Sequence, residues 1–180
     1  MNPNEEAVKT LLKMIGEDPA REGLLETPKR FVKALRELTE GYGQDPHSIL
    51  DKTFNVACDE MVIVKGIEYW SLCEHHVLPF HGTATVAYIP DGSVVGLSKI
   101  PRVVEAYARR LQVQERLTNQ IASVIDEVLK PKGVAVLLEG AHLCCAMRGA
   151  KKAVTMKTSA LRGVFLERQE VRAEFLSLAQ

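Results

Sequence analysis

Nowhere in the 180 residues is there a run approaching the roughly 18 consecutive apolar positions needed to cross a bilayer. The opening segment, MNPNEEAVKT, also lacks the apolar stretch behind a basic start that marks a secretory leader, so the expected location is cytoplasmic, away from any membrane. An excess of charge of one sign is missing too. Lysine plus arginine number 23 and aspartate plus glutamate 23, which removes the global field that gathers nucleic acid or anionic lipid and leaves only local anion sites. Cysteine is scarce. The four present, Cys58, Cys73, Cys144 and Cys145, are few for a disulfide scaffold, and two are adjacent, so reduced thiols or metal ligands are expected. Repeats, low-complexity tracts and Gly/Ser-rich linkers are absent as well. With 46% apolar residues to supply a core, the chain reads as one folding unit.

Periodicity supplies the elements. Residues 5–15 place Ala7, Val8, Leu11, Leu12 and Ile15 on one face of a helix that should end near Gly16. A second helix is expected from Thr27 as cap and Pro28 at the first helical position, where a missing N–H costs nothing. Phe31, Leu35 and Leu38 would form its buried stripe, up to Gly41. From about Met61 the period becomes two, and MVIVKGIEYW and GTATVAYI read as antiparallel strands, the second closed by a turn at Pro90, Asp91 and Gly92. A helix from Ser98 would bury Val103, Val104, Tyr107 and Leu111. Another, from about Glu115 to Lys130, would bury Leu117, Ile121, Val124, Ile125 and Val128. GVAVLLEG and KKAVTMKTSA read as two further strands, and a short helix near Arg168–Leu178 completes the pattern. The expectation is an α+β fold: a four-stranded antiparallel sheet with helices on one face and an N-terminal helical hairpin. The other sheet face would then need cover, for which self-association is the obvious source.

Three constellations carry chemistry. Cys73-Glu74-His75-His76 sets a thiol and an imidazole three positions apart, and His142-Leu143-Cys144-Cys145 repeats the pair some seventy residues later. If the two segments meet, Cys73, His76 and Cys144 could hold zinc, with His75, His142 or Cys145 each able to supply a fourth ligand. Left unligated, the two spare histidines would suit proton transfer beside an open metal position. The second constellation is Gly96-Leu97-Ser98-Lys99-Ile100-Pro101-Arg102, where a helix start capped by Ser98 with Lys99 and Arg102 on one side favours phosphate. Arg148 would strengthen that reading if it lies near, and Arg30 with Lys33 makes a similar but weaker pair. The third is Gln114-Glu115 at a helix start, where a carboxylate could accept the two parallel hydrogen bonds that guanine offers and adenine does not. The H-x-E and P-C-x-x-C signatures of nucleobase deaminases do not occur.

Taken together, CEHH, GLSK followed by an arginine, VQERLT, and HLC followed three residues later by MRG resemble GTP cyclohydrolase I, from about the second helix to the C-terminus. The resemblance implies a single domain over 1–180, with an N-terminal helical segment (1–50) and a catalytic core of the tunnelling fold (51–180). It further implies Zn2+ on Cys73, His76 and Cys144, with His75 and His142 catalytic and Ser98 assisting later steps. Glu115 with Gln114 would hold the guanine, while Lys99, Arg102, Arg148, Arg30 and Lys33 would serve the triphosphate end. The implied reaction takes GTP and water to 7,8-dihydroneopterin triphosphate and formate, the first step towards tetrahydrofolate or pterins. It runs by attack of zinc-activated water on C8, ring opening, formate release and ring closure. The implied assembly is a decamer of two pentamers with active sites between subunits. Cys145 departs from the usual pattern by putting a second thiol beside the proposed ligand.

Overall fold

A computed structural model describes residues 2–180, and its contacts divide into two compact units, one up to Glu40 and one from Gly41 to Gln180. In the first unit α1 (Pro3–Met14) packs on α2 (Thr27–Leu38). The side chain of Asn2 accepts the Asn4 N–H and caps α1, while Gly16, with a positive φ, returns its N–H to the Lys13 carbonyl at 3.0 Å. Thr27 is not the cap of α2. Glu26 occupies that position without a side-chain bond, and Thr27 is already helical, so Pro28 in the first turn is what favours the start. Phe31 is 46% exposed, and with Val8, Leu11 and Leu35 it borders an open apolar groove of about 380 Å³.

The second unit begins with a one-turn helix, α3 (Pro46–Ile49), and then runs β1 (Thr53–Asn55), β2 (Val62–Cys73), β3 (Pro79–Ile89) and β4 (Ser93–Val95). It continues with α4 (Lys99–Ala108), β5 (Leu111–Gln112), α5 (Gln114–Leu129), β6 (Gly133–His142) and a single turn, α6 (Leu143–Ala146). β7 (Thr155–Gly163), the short α7 (Val164–Glu167) and α8 (Gln169–Leu178) complete it. The fold is mixed α+β, as expected, but its main sheet has five strands in the order β5-β2-β3-β6-β7, with β1 and β4 paired separately. The extra strand arises where the sequence pattern had α4 continuing to Leu111. The helix stops at Ala108, and Leu111 and Gln112 pair in parallel with Leu72 and Cys73. Two residues are too few to show a period, which is why β5 is invisible in the sequence. The last strand is also displaced, since Lys151–Val154 lie outside it.

Alternation along the strands sorts side chains to two faces. Ile67, Tyr69, Ala84, Val86, Val134, Val136 and Leu138 turn towards α4 and α5, where Val103, Val104, Leu117, Ile121 and Ile125 complete the main core. The opposite face is not bare at one end. Phe165 and Phe175, from α7 and α8, pack there with Ala87 and Ala135, their own ring centroids 5.8 Å apart. Further along that face the cover stops, and Thr83, Glu139 and Lys157 line an open cavity of about 410 Å³. A bulge in β2 between Val64 and Ile67 is made possible by Gly66, whose φ of 72° suits a residue without a Cβ.

Candidate metal centre and active site

One end of the sheet collects the chemistry: the end of β2, the start of β3, the end of β6 and the first turn of α5. Cys73 closes β2, and the chain reverses at once. Its N–H donates to the Leu78 carbonyl and its carbonyl accepts from Val77 N–H, both at 2.8 Å. The loop holds Val77 at φ 54°, a left-handed conformation that costs a β-branched residue on the order of 1–3 kcal/mol. That tight reversal points successive residues of the Cys-Glu-His-His run into the same corner. The Cys73 sulfur lies 3.9 Å from His75 Nδ1 and 4.0 Å from His76 Nδ1.

β6 ends at His142, and the helical turn after it carries Cys144 back to the same place. Cys73, His76 and Cys144 each bring a ligand atom within 4.8 Å of the others. Neither Cys145 nor His142 belongs to that group. A tetrahedral metal with bonds of roughly 2.0–2.3 Å needs its ligand atoms only slightly closer than this, so two thiols and an imidazole form a fitting set for a divalent ion. Burial, then the neighbouring Cys73, push the Cys144 thiol up from its ordinary pKa, a tendency that a bound cation opposes.

Around this group lies a cavity of about 190 Å³ lined by Cys73, His75, Glu115, His142 and Cys144. Glu115 sits in the first turn of α5, exposed, with no hydrogen bond or ion pair to its carboxylate among the described residues. His142 stacks flat on Phe80, with centroids 4.7 Å apart and planes 3° from parallel, and its Nε2 is 2.9 Å from Gln114 Oε1. Burial draws its pKa below the usual imidazole value, and the Glu115 charge, which favours the imidazolium, partly offsets this. Arg148 places Nη1 at 2.9 Å from His76 Nε2, so it lies beside the group. Arg116, one residue after Glu115, grips Glu74 with both terminal guanidinium nitrogens, Nη1 and Nη2, and holds that carboxyl below its usual range, tying the cysteine-histidine loop to α5. Neither this clamp nor the stacking of Phe80 has a sequence signal, because each partner is distant in the chain or sits in ordinary strand alternation.

Gln114 also lines the cavity, but it is 1% exposed and its amide is taken up inside the chain. Other expected residues stand elsewhere. Ser98 does occupy the cap position of α4, but its hydroxyl makes no capping bond. Ile100, just after Ser98 and Lys99, packs with Val62, Tyr88 and Val95. Val62 pairs with Tyr88 at one end of the β2–β3 ladder and Leu72 with Pro79 at the other, a separation of roughly 30 Å along the strands. Ser98, Lys99 and Arg102 therefore do not meet the metal group within one chain, and Lys99 pairs instead with Asp51 at 3.7 Å. Arg30 and Lys33 are exposed on α2 in the first unit, where Lys33 lies 3.7 Å from Glu37.

The packing behind the site is tight at Gly140. A Cβ there would come within 2.5 Å of both Gln114 Oε1 and Tyr69 Oη. Gly140→Ala is expected to cost about 1–3 kcal/mol by overpacking, read as a lower midpoint in equilibrium denaturation; an unchanged midpoint would show that the two polar tips can move aside.

Among the described residues no helix is long and apolar enough to cross a membrane. The family model described as GTP cyclohydrolase I matches residues 4–180. "GTP cyclohydrolase 1" of Chlorobaculum tepidum is 61% identical over 176 residues, spanning 96% of this chain and 78% of that protein. The protein of the same name from Campylobacter curvus is 56% identical over 97% of this chain and 93% of its own length. Among solved structures, the archaeosine synthase QueF-Like in the apo form matches with a TM-score of 0.49 at 20% identity, covering 57% of this chain and 93% of that one. Identity sustained over nearly the whole length, together with the family model's match, leads to one conclusion: the chain belongs to the GTP cyclohydrolase I family.

Proposed function

We propose that this protein is a zinc-dependent, cytoplasmic GTP cyclohydrolase I that converts GTP and water to 7,8-dihydroneopterin triphosphate and formate, the first step towards tetrahydrofolate or pterins. The observation that carries the reading is the convergence of Cys73, His76 and Cys144 at one edge of a cavity that Glu115, His75 and His142 also line. Cys73, His76 and Cys144 would hold the zinc, which when bound supplies the Lewis acidity that makes water nucleophilic near neutral pH. Glu115 accepts the N1–H and exocyclic amino hydrogens of guanine, which its unpaired carboxylate leaves it free to do. His142, whose pKa burial lowers, and the more exposed His75 carry protons between the attacking water and the ring nitrogens as C8 is lost as formate. Arg148 stands ready for the phosphates at the same edge.

Ser98, Lys99 and Arg102 complete the triphosphate and ribose site from a neighbouring subunit. Their distance from the metal group along the same sheet supports this reading, as would a tunnelling-fold ring assembly, a decamer of two pentamers, in which residues 1–180 act as one catalytic domain. Arg30 and Lys33 are further cations for the triphosphate. Incubation with GTP, ATP and guanosine is the direct test. Formate, and a pterin that fluoresces after oxidation, are expected from GTP alone and in proportion to bound zinc; release of ammonia in place of formate would overturn the reading.

A further inference from the structure

Gln114 is the most fully committed polar side chain near the site, and the way it is committed decides which nitrogen of His142 carries the proton. Its Nε2 is surrounded by three oxygens: Met156 O at 3.0 Å, Thr158 Oγ1 at 3.1 Å and Leu138 O at 3.3 Å. Thr118 donates its only hydroxyl hydrogen to the backbone carbonyl of Gln114 at 2.7 Å, so in the 2.7 Å contact between the two hydroxyls Thr158 must be the donor. Thr158 Oγ1 is thereby left to accept from Gln114 Nε2, and the hydrogen bonds close into a ring. A flipped amide would set Oε1 against two backbone carbonyls, oxygen facing oxygen, in a buried place. The orientation is thus forced. Oε1 can only accept, and it faces Tyr69 Oη at 3.4 Å and His142 Nε2 at 2.9 Å.

From this we infer that Gln114 is a positioning residue that holds His142 as the Nε2–H tautomer, with the ring's single lone pair on Nδ1. The stack on Phe80 fixes the plane of the ring, and the bond to Gln114 fixes its rotation within that plane. Gln114 then acts on the reaction through His142 and not on the guanine. The inference rests on the proposed role of His142 in proton transfer, but its test separates the two.

The measurement is 15N-histidine NMR on the zinc-loaded protein, with the His142 signals assigned by their loss in His142→Ala. Wild type should show the Nε2–H tautomer. In Gln114→Met, which keeps the volume but loses the acceptor, His142 should become a mixture of tautomers. The same variant should lose roughly 10- to 100-fold in kcat, as other outer partners of active-site groups do, with KM for GTP and zinc content unchanged. An Nδ1–H tautomer in wild type overturns the inference whether or not the variant folds. A raised KM with unchanged kcat in Gln114→Met overturns it as well, because that would put Gln114 on the substrate. Full turnover in His142→Ala would instead remove the proton-transfer role of His142, and the tautomer spectrum would still decide what Gln114 does to the ring.

Discussion

Replacing Cys73 by serine should strip the protein of zinc and lower GTP turnover by about 1,000-fold or more, since a catalytic metal contributes several kcal/mol to the transition state. The reason is local. Cys73 is buried at the end of β2, and its sulfur stands within reach of both other members of the group. A serine hydroxyl at the same place is a poor ligand for a borderline-soft ion. His75→Ala is the informative contrast. His75 lies 3.9 Å from the Cys73 sulfur but outside the three-atom group, so the variant should keep its zinc and still lose roughly 100- to 10,000-fold in rate, the usual worth of a positioned proton carrier. Metal analysis beside formate release distinguishes them; zinc lost from His75→Ala would mean a closed, four-ligand site. Cys145→Ser should leave both readouts near wild type, because Cys145 is not in the group.

The second large effect concerns the base. Glu115→Ala is expected to reduce kcat/KM for GTP by roughly 100- to 10,000-fold, the sum of two charge-assisted hydrogen bonds at about 1.5–3 kcal/mol each. Zinc content should not change, since Glu115 lines the cavity without belonging to the ligand group. Nor should stability fall much, because the carboxylate is exposed and makes no hydrogen bond or ion pair among the described residues that would be lost. Calorimetric titration with a non-hydrolysed guanine nucleotide gives the answer directly, and unaltered binding would take Glu115 out of the base pocket.

These outcomes bear on how far residue patterns reach. Cys-x-x-His and His-x-Cys are local spacings, and each segment ends a strand, so their types and neighbours were legible before any fold was known. Their union was not, since it depends on β3 lying between β2 and β6, with Phe80 paired to His142 and Leu72 to Pro79. The adjacent thiols could not be told apart by spacing either. It took the single helical turn from Leu143 to Ala146 to bring Cys144 into the group and leave Cys145 out of it. Gln114 is a second case. Beside Glu115 at a helix start it reads as a second ligand for the base; both residues line the cavity, but the Gln114 amide is already engaged by Leu138, Met156, Thr158 and His142, partners that the sequence does not place beside it.

What the sequence determined by itself was the features carried by a period sustained over many residues and the spacing of the cysteine-histidine pairs. The two-residue alternation of the long strands, the helical stripes of α4 and α5, and the composition of the cysteine-histidine pairs all rest on neighbours a few positions apart. Only the tertiary structure decided the fifth strand, the cover that Phe165 and Phe175 give one end of the second sheet face, and the Arg116 clamp on Glu74. It also decided that Ser98, Lys99 and Arg102 stand at the far end of the sheet from the metal group. The physical reason is common to all of these: each is set by contacts between segments far apart in the chain, whose register comes from strand pairing and core packing and leaves no periodic trace in the residues themselves.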